Sequence, residues 1–174
     1  METDRLRLRE FTGSDLDALV ELHADPETIH FWPRPPSRDE LARQLLNSQY
    51  AYEQDGFDFW AVELRDDGRF IGRIGLARRF VNGKGEIEVG YMLRREDWGH
   101  GYATEAARAC RDWAFQRLGV ARVISLIRPG NLRSVEVAKR NGMKRVGETT
   151  HAGMPHDVYA IERAEWKGLT SRLN

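Results

Sequence analysis

The sequence lacks several features by which secreted and membrane proteins are recognised. It has one cysteine, Cys110, so it cannot form an intrachain disulfide, and we expect a reducing compartment. No apolar run approaches the ~18 residues that a membrane-spanning helix requires. Residues 1–10 are charged, with arginine and leucine alternating, and contain no apolar stretch typical of a secretion signal. We therefore expect a cytoplasmic protein with no membrane partner.

The chain also lacks net charge and the common catalytic motifs. Its 27 basic and 27 acidic residues balance, so nothing attracts it generally to nucleic acid, and we expect no nucleic-acid partner. The five histidines show no spacing typical of a zinc site, which predicts no metal. The Gly-x-Ser-x-Gly motif of serine hydrolases is absent as well.

What the sequence does contain is a pattern of strands and helices in one domain. The 174 residues, 41% of them apolar, suffice for a single domain over 1–174 with a core at about 4–164. Periodicity and turn residues predict the order β-α-α-β-β-β-α-β-α-β-β. The predicted strands cover 6–8, 57–64, 70–80, 86–93, 120–127, 146–150 and 156–161. We expect an α/β chain of the α+β type, with a mixed, mostly antiparallel sheet and helices on both faces.

The most informative segment is a glycine-containing loop between a strand and a helix. It reads Trp98-Gly99-His100-Gly101-Tyr102-Ala103-Thr104 and opens a helix predicted over 102–118. The first N–H groups of a helix have no partner inside it, and glycines let the loop curl so that these groups converge on an anion such as pyrophosphate. A P-loop would need Lys-Ser/Thr after Gly101, and a dinucleotide fingerprint would need glycine at Thr104. A glycine turn that only joins strand to helix is the remaining alternative.

These residues resemble the GNAT N-acetyltransferase superfamily. Its pyrophosphate loop reads Gln/Arg-x-x-Gly-x-Gly/Ala, and here Trp98 replaces the first residue while Gly101 and Ala103 match. The form of the loop is similar to that of the RimJ/RimL group of ribosomal-protein N-terminal acetyltransferases. A block from Asn131 through Gly142-Met143, the opening 4–9 and the step 24–27 also match this branch.

The resemblance implies the GNAT acyl-CoA N-acyltransferase fold, with acetyl-CoA as co-substrate. It assigns the pyrophosphate to Trp98, Gly99, His100, Gly101, Tyr102, Ala103 and Thr104. The pantetheine arm is expected to pair with the backbone of Met92, Leu93 and Arg94, and the Leu93 N–H to polarise the thioester carbonyl. Asn131 either contacts the cofactor arm or simply caps a helix, and one side chain can do both.

Transfer to an amine needs a proton acceptor and a proton donor. Many relatives use a tyrosine as the donor, but Ala138 stands at that position, so Ser134 is the candidate, with a capping serine as the alternative. Glu88 is the candidate base if its face of the strand lines the acceptor cleft. Alternatively, Glu88 is simply a glutamate exposed to solvent, and the base is His151 or water.

We therefore expect an N-acetyltransferase that acts by direct attack in a ternary complex, because no good nucleophile is present. The amine is a protein N-terminus or a small molecule, and Trp32, Trp60 and Tyr159 are candidates to line its pocket. Two rival functions are a catalytically silent CoA-binding sensor and a regulator that binds ATP or NAD. Whether the protein forms a homodimer is left open.

Overall fold

Seven strands form one mixed sheet in the computed structural model, which describes residues 1–170. They are β1 (Leu6–Arg9), β2 (Phe59–Leu64), β3 (Phe70–Val81), β4 (Lys84–Leu93), β5 (Arg122–Ile127), β6 (Lys144–His151) and β7 (Met154–Glu162). The order across the sheet is β1-β2-β3-β4-β5-β7-β6. β4 and β5 run parallel, with Glu88 opposite Ile124, while the pairs β1–β2, β2–β3, β5–β7 and β6–β7 are antiparallel. The predicted mixed, mostly antiparallel sheet is thus confirmed.

Five α-helices accompany the sheet in the described part of the chain. They are α1 (Leu16–Ala24), α2 (Arg38–Asp55), α3 (Tyr102–Trp113), α4 (Leu132–Arg140) and α5 (Arg163–Thr170). A capping box starts α2, because the Ser37 hydroxyl accepts the Glu40 N–H at 3.2 Å and the Glu40 carboxylate accepts the Ser37 N–H at 2.7 Å. The sequence pattern did not predict α5. None of the helices within residues 1–170 is long and apolar enough to cross a bilayer.

The helix predicted over 102–118 changes character after Trp113. Its last part, Ala114–Leu118, is a π-helical segment. An external donor contributes to this, because the Arg163 guanidinium donates to the Phe115 carbonyl at 2.8 Å and to the Val120 carbonyl at 2.9 Å. A side chain that takes a carbonyl out of the helical hydrogen-bond ladder is a known cause of such irregularity. Gly119 follows in the left-handed conformation, which only glycine adopts readily, and ends the helical segment.

Contacts within the chain divide it into two compact units. The first contains residues 1–75 and 91–106, and the second contains 76–90 and the chain from Ala107 onward. A core of the first unit is formed by Phe11, Leu19, Leu22, Leu41, Leu45, Ala61 and Met92. A core of the second is formed by Val81, Ile124, Val158 and Ala160. Cys110 is fully buried in the second unit, and burial raises the pKa of its thiol. The prediction of a single domain stays a prediction.

Two glycines of β3 allow its backbone to approach both neighbouring strands closely. A Cβ added at Gly75 would lie 2.7 Å from the Phe59 nitrogen in β2, and one at Gly72 would lie 2.7 Å from the Leu93 Cα in β4. Both distances are shorter than the contacts that Cβ atoms make with other heavy atoms in proteins. The pairing of β3 on both sides therefore requires glycine at these two positions.

Gly75→Ala is expected to lower the free energy of unfolding by about 1–3 kcal/mol, because the new methyl group must push β2 and β3 apart. Gly85→Ala is the matched control, since Gly85 also lies in a strand but has open space around its Cα. Urea denaturation of the two variants and the wild type measures the difference. Equal stability of the Gly75 and Gly85 variants would contradict the close approach.

Candidate functional site

The loop before α3 has the conformation that its glycines predicted. Gly99 and Gly101 adopt φ values of 82° and 81°, in the left-handed region that favours glycine. α3 begins at Tyr102, so the N–H groups of its first turn have no partner within the helix. A Cβ added at Gly99 would meet no heavy atom of residues 1–170 within 4 Å, so this side of the loop is open. A curled backbone before a helix N-terminus is suited to a phosphate group.

The loop is held in place by a carboxylate and a guanidinium that are distant in sequence. The Glu105 carboxylate accepts hydrogen bonds from the Thr3 hydroxyl at 2.6 Å and from the Arg5 Nε at 2.7 Å. The Arg5 Nη1 donates in turn to the His100 carbonyl at 3.0 Å, and its guanidinium lies 4.6 Å from the centre of the Tyr102 ring. The residues around Arg5 support the family resemblance, but the sequence did not predict that Arg5 holds the loop. The one available signal was an acidic residue in the first turn of the helix.

These hydrogen bonds change the ionisation of Glu105. Burial raises the pKa of this carboxyl, but hydrogen bonds from the Thr3 hydroxyl and from the Arg5 backbone and side chain outweigh it. The pKa of Glu105 therefore lies below its ordinary value. The carboxylate stays charged at neutral pH and keeps Arg5 beside the loop.

Trp98 connects the loop to the end of β4. Its indole Nε1 donates to the Leu93 carbonyl at 2.9 Å. The Arg94 N–H donates to the Ile71 carbonyl of β3 at 2.8 Å, at a bulge in β3. Two of the backbone groups predicted to receive the pantetheine arm therefore already have partners within the protein.

The pairing of β3 and β4 also sets the direction of the Leu93 N–H. Leu93 faces Gly72, and the next residue along the strand, Arg94, forms the hydrogen bond to β3. Hydrogen-bonded and non-hydrogen-bonded pairs alternate along antiparallel strands. The Leu93 N–H thus points away from β3, which is the direction that its predicted role requires.

In the second unit, Asn131 caps α4. Its Oδ1 accepts the Ser134 N–H at 3.2 Å, which confirms the capping interpretation; a contact with a cofactor arm stays a prediction. Ser134 is half-buried in the first turn of α4, and Ala138, one turn further on, is fully buried. Position 138 therefore carries no hydroxyl group, and Ser134 is the residue of α4 with a hydroxyl nearest to it.

Glu88 is not the solvated residue that the alternative interpretation assumed. It is 8% exposed, and its carboxylate pairs with the Arg79 Nε at 2.6 Å. Its neighbours Ile87 and Val89 are buried as well, so both faces of β4 are covered at this point. This central strand therefore does not present one face to solvent. The alternative base, His151, is half-buried with its ring 5.7 Å from that of His156, whose pKa is lowered by burial.

The three aromatic residues predicted to line an acceptor pocket have different surroundings. Trp60 and Tyr159 are 6% and 7% exposed and belong to the buried interior of their respective units. Trp32 is 42% exposed, and its ring meets that of His23 edge-on at 5.5 Å. Of the three, Trp32 is the one that a molecule in solution can reach directly.

Comparison with known proteins gives a consistent result. Residues 5–144 match the acetyltransferase (GNAT) domain. The chain is 34% identical to the protein YkkB of Bacillus subtilis over 81% of this chain and 83% of YkkB. It is 31% identical to YnaD of the same organism, named as an uncharacterized N-acetyltransferase, over 83% of this chain and 82% of YnaD. YdaF, also of B. subtilis and by name a ribosomal N-acetyltransferase, is 30% identical over 95% of both chains.

Solved structures share the fold over nearly the whole chain. An acetyltransferase from Agrobacterium tumefaciens superposes with a TM-score of 0.79 at 27% identity, over 94% of both chains. The aminoglycoside acetyltransferase AAC(6')-Ib, in complex with coenzyme A and kanamycin, superposes with a TM-score of 0.78 at 20% identity, over 95% of this chain and 99% of that one. At this identity the second similarity concerns the fold alone.

Glu105→Gln is expected to lower the free energy of unfolding at neutral pH by about 1 kcal/mol, because the hydrogen bonds to a charged carboxylate weaken. The ordinary pKa of 4.5 is lowered in the folded protein. The contribution of Glu105 is therefore complete above pH 4.5 and lost as pH falls through the folded pKa. Urea titrations from pH 7 to pH 3 should show the wild type and the variant converging.

The control is Glu136→Gln, which removes an exposed ion pair with Lys139 at 3.1 Å. It should change stability by a few tenths of a kcal/mol at most. A Glu105 variant as stable as the wild type at pH 7 would show that this carboxylate does not hold the loop.

Proposed function

The chain belongs to the GNAT acetyltransferase family, whose members use acetyl-CoA to acetylate amines, and we propose that it transfers an acetyl group from acetyl-CoA to a primary amine. The observation that carries this proposal is the open glycine loop at the start of α3, held by Arg5 and Glu105. Its left-handed glycines and unpaired helical N–H groups fit a pyrophosphate. Acetyl-CoA supplies the thioester whose carbonyl carbon the amine attacks, with the CoA thiol as leaving group.

We assign the protein's contributions to three groups. The loop 98–104 and the N-terminus of α3 bind the diphosphate through backbone N–H groups. The Leu93 N–H, which points away from β3, polarises the thioester carbonyl, because a positioned donor stabilises the negative charge that develops on that oxygen. Trp98 assists by fixing the neighbouring Leu93 carbonyl at the end of β4.

Two side chains are proposed to move protons. Glu88 accepts the proton of the amine, directly or through water; its burial beside Arg79 gives it a defined position. Ser134 donates a proton to the departing thiolate, because Ala138 offers no hydroxyl. With no covalent acyl-enzyme required, the amine attacks in a ternary complex of enzyme, acetyl-CoA and acceptor.

The acceptor is proposed to be a protein N-terminus or a small-molecule amine. The name of YdaF, a ribosomal N-acetyltransferase, supports the first and a RimJ/RimL-like assignment. The kanamycin bound to AAC(6')-Ib supports the second. A second candidate function is a CoA-binding sensor without catalysis. It is favoured by Ala138, because this residue replaces the tyrosine that serves many relatives as proton donor. Turnover of a panel of peptides, alkylamines and aminoglycosides distinguishes an acetyltransferase from a sensor, since a sensor binds acetyl-CoA and acetylates nothing.

Gly101→Val is expected to abolish acetyl-CoA binding while the protein remains folded. A β-branched side chain resists the φ of 81° and covers the backbone that a phosphate must approach. Gly68→Val is the control, because Gly68 has a φ of 73° in a turn that has no proposed role in binding. Isothermal calorimetry measures both, and wild-type acetyl-CoA affinity in the Gly101 variant would disprove the loop as the site.

Ser134→Ala is expected to lower the single-turnover rate of acetyl transfer by ~10²-fold or more, with acetyl-CoA affinity unchanged. The serine hydroxyl is the proposed proton donor, and the backbone N–H of this residue, which Asn131 binds, is retained. Ser14→Ala, at an exposed position, is the control. An unchanged rate would assign Ser134 a structural role and leave the leaving thiolate to be protonated by water.

A further inference from the structure

We propose that the Nε2 atom of His23 accepts a hydrogen bond from the amine substrate, and that Trp32 covers this nitrogen when no amine is bound. The proposal rests on the proposed function, since it identifies a contact to the acceptor of that reaction. It concerns residues of the first unit only. His23 lies in α1, and Trp32 lies in the connection between α1 and α2.

His23 is a buried polar residue with one nitrogen used and one unused. The side chain is 1% exposed, and its Nδ1 lies 2.8 Å from the Leu19 carbonyl. A carbonyl can only accept, so in the neutral ring Nδ1 carries the hydrogen and Nε2 carries the lone pair. Among residues 1–170, no group hydrogen-bonds to Nε2. A buried acceptor without a donor destabilises the folded protein, which indicates that a donor arrives with a ligand.

α1 lies against the end of β4, where the acetyl group is proposed to be bound. The Glu21 carboxylate pairs with the Arg94 guanidinium at 2.8 Å. Leu19 and Leu22 of the same helix belong to one buried cluster with Met92. His23 is thus on a helix that contacts the residues on both sides of Leu93, the residue proposed to polarise the thioester.

The connection between α1 and α2 places an aromatic ring against His23. Trp32 is 42% exposed and meets the His23 ring edge-on, in a segment that contains three prolines between residues 33 and 36 and no α-helix or strand. Thr28 of the same connection has a buried hydroxyl that also finds no hydrogen-bond partner among the described residues. Two unsatisfied polar atoms, one near the end of α1 and one in the connection that follows it, indicate a place where polar groups of a ligand are received.

The chemistry of His23 selects an N–H donor over an anion. Burial lowers its pKa and outweighs the hydrogen bond to the Leu19 carbonyl, which raises it, while the nearby positive charge of Arg73 lowers it further, so the ring is neutral at neutral pH. A neutral imidazole with its lone pair free accepts from an amine or ammonium group and gives nothing to a carboxylate or phosphate. The amine is thereby oriented for attack on the acetyl group, and its proton is left to the proposed base.

The test compares His23→Phe, which keeps an aromatic ring and removes the acceptor, with His23→Gln, whose amide oxygen restores an acceptor near the position of Nε2. We expect the phenylalanine variant to lower kcat/KM ~10–100-fold for every amine that the wild type acetylates, and the glutamine variant to recover part of that loss. Acetyl-CoA affinity, measured by calorimetry, should stay within about twofold in both. His30→Phe, the same change at an exposed position in this connection, is the control.

Thermal melting adds a measurement that does not depend on turnover. His23→Phe should melt at a higher temperature than the wild type, because it removes a buried acceptor that lacks a donor. A lower melting temperature, or wild-type kcat/KM in this variant, would overturn the role of His23. Failure of the wild type to bind acetyl-CoA or to acetylate any amine would instead overturn the proposed function, and the assignment of His23 with it.

Discussion

The hydrogen bonds around Glu105 are the interaction on which the glycine loop depends. The N–H groups at the start of a helix can face an anion only if the backbone before them is held to one side. Gly99 and Gly101 allow that conformation but are too flexible to fix it themselves. Arg5 fixes it by contacting the Glu105 carboxylate and the His100 carbonyl together. Arg5, which holds the loop, lies 95 positions before His100 in the chain. A substitution in the first five residues can therefore change the conformation of this distant loop.

A related constraint acts at the end of β4. The strand has to end there with the Leu93 N–H directed away from its antiparallel neighbour, and the bulge in β3 and the bare Cα of Gly72 allow the close approach that fixes this direction. Trp98 takes the adjacent carbonyl. Its indole N–H is a single donor, whereas the glutamine or arginine of the family pattern offers several. This single donor is used on the Leu93 carbonyl, so Trp98 braces the end of the strand.

The parts of the fold that could be predicted are those specified by local chemistry. The capping box of Ser37 and Glu40, the turn at Asn82-Gly83 and the glycine after Leu118 each have a signature within four residues. The missed features depend on distant partners. The π-helical segment follows from Arg163 reaching the Phe115 carbonyl, and α5 begins at that same arginine. The burial of Glu88 depends on Arg79 in the neighbouring strand, which alternation along β4 alone cannot indicate.

Glu88 and His23 are both buried polar residues, but they differ in whether the described part of the chain satisfies them. Glu88 is buried with an opposite charge at 2.6 Å, so the cost of its burial is offset within the folded protein. His23 is buried with an acceptor that the described residues leave unsatisfied, so its presence costs stability that an apolar residue would not. Folding alone favours a leucine or phenylalanine there, beside Leu19 and Leu22. A buried imidazole whose Nε2 lacks a donor among the described residues is explained most simply by a ligand that completes its hydrogen bonding, and an amine is the ligand that the proposed reaction brings to that end of β4.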